Sequence, residues 1–87
     1  MTKKKSDCPY PLCVVTWKDA VYSSDDSDAN QQLKPSILVT VGYLIEDNIE
    51  EGYITLCSDY CPKETWVRNR NTIPLEMVQD RYEVDIT

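Results

Sequence analysis

The 87-residue chain has no histidine, no phenylalanine and only two glycines. Each absence removes a class of function. Without histidine the commonest general base is missing, and a cysteine nucleophile lacks its usual imidazole partner. Two isolated glycines cannot build a Gly-rich phosphate loop. Without phenylalanine the large core residues are drawn from Trp17, Trp66, six tyrosines and the aliphatic side chains. A buried tyrosine needs a partner for its hydroxyl. Carboxylate pairs exist at Glu46/Asp47 and Glu50/Glu51, but a turn is where solvated charge normally sits. No catalytic residue is assigned, and the chain is read as a non-enzyme.

Positive charge is also scarce. The formal net charge is -6. Nine basic residues, less Lys3, Lys4 and Lys5, leave six against fifteen acids in the rest of the chain. Such a body repels phosphates, so non-specific DNA binding is not expected. No run approaches the ~20 apolar residues of a membrane span. Nothing after Met-Thr-Lys-Lys-Lys resembles an apolar signal-peptide region. The expected compartment is a cytosol, where thiols stay reduced.

What remains reads as strands. Residues 1–12, with a lysine run, Pro9 and Pro11, are expected to be a flexible tail, and residues 13–87 a single domain. "CVVTWKDAVY" (13–22) is β-branched and aromatic. "SSDDSDANQQLKP" (23–35) is a long polar loop. "SILVTVGYLIE" (36–46) is the strongest strand. Ile37, Val39, Val41, Tyr43 and Ile45 share one face, and Leu38, Thr40, Gly42 and Leu44 the other. Gly42 suggests a bulge or bend. A turn through "DNIEEG" leads to "YITLCS" (53–58), and "DYCPKE" is a connection. Thr65–Ile73 is expected as a fourth strand. "PLEMV" (74–78) fits one helical turn with proline at its start, and Tyr82, Val84 and Ile86 alternate in a last strand. This order predicts an all-β fold, a small five-stranded SH3-like (Sm-like) barrel with one short helical turn before the last strand. An open antiparallel sheet is the alternative.

"VVTWKDA", "TVGYLIED", "GYITL" and "IPLEMV" together resemble a group of small uncharacterised bacteriophage proteins. The shared positions are Trp17, Asp19 and Ala20; Thr40, Val41, Gly42 and Leu44; and Ile73, Pro74, Met77 and Val78. The resemblance covers roughly residues 14–78 and implies a phage origin and a host cytoplasm, but no activity. The Cys8/Cys13 head and the "CSDYC" loop depart from that pattern.

Three sets of residues are candidates for function. Cys8, Cys13, Cys57 and Cys61 could close a tetrahedral zinc site, although both pairs are spaced more widely than in tight zinc knuckles. The preferred reading places Cys13 and Cys57 in strands as small buried hydrophobes, with Cys8 and Cys61 in loops and no metal. Asp19 shares the inward parity of Trp17. It either marks the end of the first strand or acts as a ligand acceptor at the barrel mouth. Trp66, Arg68 and Arg70 fall on one face of an extended strand, a flat aromatic beside two guanidinium groups. That face suits an acidic protein surface, or stacking and phosphate contact with a nucleotide. The plain alternative is a solvated face with little net effect on stability. Middle residues Asn69 and Asn71 argue for a bulge, an exposed edge or a subunit junction in this strand. The reading favoured is a phage accessory protein that binds and modulates a host protein, in host takeover or counter-defence. The alternatives are a homo-oligomeric barrel that binds a small nucleotide or nucleotide signal, and a zinc-stapled structural component.

Overall fold

A computed structural model describes residues 8–19, 29–30 and 34–85. The elements are β1 (Leu12–Asp19), β2 (Ser36–Asn48), β3 (Tyr53–Cys57), β4 (Asp59–Tyr60), β5 (Val67–Arg68), β6 (Asn71–Pro74), a 3-10 turn (Leu75–Met77) and β7 (Val78–Val84). The fold is all-β. Five antiparallel strands make one sheet in the order β6-β3-β2-β1-β7, and β4 and β5 make a separate two-stranded ladder. Among the described residues β6 and β7 are the two ends of the sheet, so it is open. Ala20, Val21 and Tyr22, most of the long polar loop, Ile86 and the lysine run lie outside the described residues.

β2 organises the sheet because it serves two neighbours in succession. Ser36–Tyr43 pair with β1, and Tyr43–Asn48 pair with β3. The strand can pass from one partner to the other because two local features bend and tighten it. The register slips between Leu44 and Glu46, leaving Ile45 as the extra residue of a bulge. At Gly42 the backbone runs so close to β3 that a Cβ would stand 2.7 Å from the Cys57 carbonyl oxygen and 3.2 Å from the Leu56 Cβ. The bulge expected at Gly42 therefore falls three residues later, and the glycine is required for close approach. A second slip between Thr16 and Trp17 leaves Gln79 as the extra residue of β7.

The core lies on one side of β1 and β3. Cys13, Val15, Trp17, Ile54, Leu56 and Ile73 form it, with Leu44, Leu75, Met77 and Val78 packed around. Burial alternates along β1, as a one-sided strand requires. Trp17 is 8% exposed, and its Nε1–H donates to Thr40 Oγ1 at 2.9 Å. Thr55, on the opposite face of β3, is buried with its hydroxyl 2.9 Å from that of Thr72. No described buried side-chain polar atom lacks a partner, so the sheet carries no desolvation penalty from such groups.

The connections are fixed by side chains that suit them. Asn48 Oδ1 accepts from the Glu51 N–H and Asn48 O from the Gly52 N–H, and Gly52 has the positive φ of 81° that closes the turn. The Gly52 carbonyl accepts from the Leu75 N–H at 2.9 Å, tying the 3-10 turn to this hairpin. Pro74 opens that turn as expected. The expected tail is in part held: Tyr10 meets Tyr60 edge to face with centroids 5.7 Å apart, and the Pro11 carbonyl accepts from Leu44 N–H.

Candidate functional site

The expected fourth strand is split in two. Val67–Arg68 belong to the small ladder with Asp59–Tyr60, and Asn71–Pro74 to the main sheet. The break is at Asn69, whose φ is 58°. Asparagine is among the few residues that tolerate this region, and its Nδ2–H donates to Ser58 Oγ at 3.0 Å. The irregularity expected from Asn69 and Asn71 is therefore a break at Asn69, and Asn71 pairs regularly with Leu56 in the main sheet. The Asp59–Tyr60 segment, expected as plain connection, is a strand because it has Val67–Arg68 to pair with.

The result is a short arm, two strands joined by Cys61–Trp66. Its closing bonds are Ser58 N–H to Arg68 O, Cys61 N–H to Trp66 O and Thr65 N–H to Cys61 O, the last at 2.7 Å. Thr65 has a φ of 58°. A β-branched residue rarely holds that conformation. Thr65 Oγ1 donates to the Glu64 carbonyl at 2.7 Å, which helps fix it.

Trp66 is 41% exposed on this arm. Its indole Nε1–H donates to Glu64 Oε2 at 2.8 Å, and the Arg68 guanidinium carbon lies 5.1 Å from the ring centroid. The expected neighbourhood of Trp66 and Arg68 is therefore present. Arg70 follows the left-handed Asn69, so the strand alternation that would align it with Arg68 is broken there. It is exposed, and its charge is felt at Cys57 in the main sheet. Among the described residues neither Arg68 nor Arg70 is ion-paired; the bridge found is Arg81 to Asp47 at 3.2 Å. Glu46 is engaged elsewhere. It accepts from the Tyr53 hydroxyl at 2.9 Å, and this bond raises the phenol pKa.

Asp19 is half-buried at the last position of β1, as its place before the loop suggests. It is apart from the arm, in a cleft of about 430 Å³ lined by Lys18, Asp19, Pro35, Glu76, Met77 and Gln79. Sequence reasoning did not find Glu76 and Gln79 beside it, because the Gln79 bulge decides which β7 residues face that end.

The four cysteines divide as the preferred reading has it. Cys13 and Cys57 are buried in strands; Cys8 and Cys61 are half-buried outside them. Burial pushes both buried thiols above their ordinary pKa, and the charge of Glu83 adds to this at Cys13, that of Cys8 at Cys57. Among the described residues no three metal-ligating side chains come together. No helix of the described residues is long and apolar enough to cross a membrane.

Comparison of the chain with protein-family models, curated proteins and solved structures gives no match.

Proposed function

We propose that this chain is a non-enzymatic binding protein that engages another protein through the Trp66–Arg68 arm. The observation that carries the reading is the exposed indole with a guanidinium stacked on it and, among the described residues, no acid paired to that guanidinium. Trp and Arg are the side chains most often found at the energetic centre of protein interfaces. An arginine already held over an aromatic ring loses little freedom on binding an acidic surface. The left-handed Thr65 beside Trp66 supports the same reading, since backbone strain concentrates at functional loops.

The order β7-β1-β2-β3-β6, with the 3-10 turn between β6 and β7, supports reading the sheet as an SH3-like barrel opened along the β6–β7 seam. On the resemblance to small phage proteins, the partner is a host protein met in the host cytoplasm. A nucleotide ligand is less well supported. The cleft at Asp19 offers two carboxylates against one lysine, which disfavours a phosphate. Capture of a partner from bacterial host lysate, with and without Arg68→Glu and Arg70→Glu, tests the proposal.

A further inference from the structure

The more apolar face of the β2-β1-β7 part of the sheet is the outer one. Cys13, Val15 and Trp17 of β1 point into the core, and the β2 residues opposite them are Gly42, Thr40 and Leu38. The other parity of β1 is Leu12, Val14, Thr16 and Lys18. Opposite it lie Tyr43, Val41, Val39 and Ile37 on one side, and Val84, Tyr82 and Asp80 on the other. Ile37 is 52% exposed, Val39 63%, Val41 57% and Tyr82 56%. A sheet normally buries its apolar face against a second layer. Here, among the described residues, the side with the larger apolar content has none.

We infer that this face packs against the same face of a second copy of the chain. Three observations select that occupant. First, area: Ile37, Val39, Val41 and Tyr82 are each more than half exposed and lie side by side across β2, β1 and β7, a contiguous apolar patch of the kind that marks an interaction surface. Second, charge: the face holds one acid, Asp80, and one base, Lys18, in a chain with fifteen acids and nine bases. Two acidic molecules can therefore meet here without opposing like charges within the face. Third, core size: among the described residues seven hydrophobic residues are buried, two of them cysteines. Chains this small commonly complete their core by association. Two sheets stacked in this way form a sandwich whose central layer is Val14, Val39, Val41 and Tyr82 from both copies. This surface is distinct from the Trp66–Arg68 arm.

Sedimentation equilibrium of the full chain from about 1 to 100 μM tests the inference. The expected result is a dimer for the wild type and for Arg68→Glu, and a monomer for Val39→Asp/Val41→Asp with its strand circular dichroism retained. Should that variant unfold, Val41→Thr keeps the shape and strand preference of valine while burying a hydroxyl. It is expected to weaken the dimer about tenfold. A wild-type monomer throughout this range would overturn the inference, including one whose face instead docks another protein or a lipid vesicle. So would a dimer of unchanged strength in both face variants.

Discussion

The Arg68 guanidinium lies 5.1 Å from the centroid of the Trp66 ring, while the edge of that ring donates to Glu64 at 2.8 Å. The two contacts hold the indole in place on a surface arm. Exposed cation–π pairs contribute about 0.5–1 kcal/mol. That is small against the 5–15 kcal/mol of a typical domain. Changes at Arg68 therefore act on recognition far more than on folding, which makes this position a clean probe of the proposed interface.

Thr65→Asn should stabilise the protein. Thr65 holds a φ of 58°. That region costs an ordinary residue about 1–2 kcal/mol and asparagine less. The hydroxyl lost from the Glu64 carbonyl is exposed and offsets part of the gain. A net gain of about 0.5–1 kcal/mol corresponds to a rise of roughly 2–8 °C in Tm. A lower Tm would mean that the hydroxyl bond outweighs the backbone strain.

Gly42→Ala should destabilise by about 1–3 kcal/mol. Replacing a strand glycine with alanine ordinarily gains roughly 0.5–1 kcal/mol. Here the new Cβ would meet the Cys57 carbonyl at 2.7 Å, and a backbone atom of a buried strand cannot rotate away. The steric term wins. Urea denaturation measures it, and an unchanged midpoint would show that β2 and β3 can separate locally without cost.

Alkaline pH should weaken the fold through Cys13 and Cys57. Both thiols are raised above the ordinary 9.0 by burial. The folded state thus keeps these protons longer than the unfolded state. Their contribution is complete below about pH 9 and is lost as pH climbs through the folded values. Tyr53, also raised, acts in the same direction. The urea midpoint should fall between pH 8 and pH 10, and mass spectrometry of alkylated protein at pH 8 should find Cys8 and Cys61 modified first. A flat midpoint, or equal labelling of all four thiols, would contradict this account.

The sequence makes strand identity legible and strand facing obscure. The Ser36–Glu46 strand, the Gly52 turn and the Pro74 helical turn follow from local chemistry, and all appear with shifts of one or two residues at their ends. Facing does not follow. Both parities of β2 carry leucine, isoleucine or valine, so only the partner decides which is inside. That partner is β1, and it sets its Cys13-Val15-Trp17 parity against Leu38, Thr40 and Gly42. The arm was half legible. Asn69 and Asn71 signal an irregularity within one strand, but a two-residue strand at Asp59–Tyr60 exists only through its long-range pairing with Val67–Arg68. Unbroken alternation would set Arg70 on the face of Trp66 and Arg68, and the left-handed Asn69 ends that alternation.

The central claim is that the Trp66–Arg68 arm is the binding surface, and the most direct test is capture from host lysate with immobilised wild type and Arg68→Glu/Arg70→Glu. Both side chains are exposed, so the double variant should melt within a few degrees of the wild type. The account predicts that one host protein is retained by the wild type and lost by this variant, and is still retained by Val39→Asp/Val41→Asp. Retention of the same protein, undiminished, by the charge-reversed chain would contradict it.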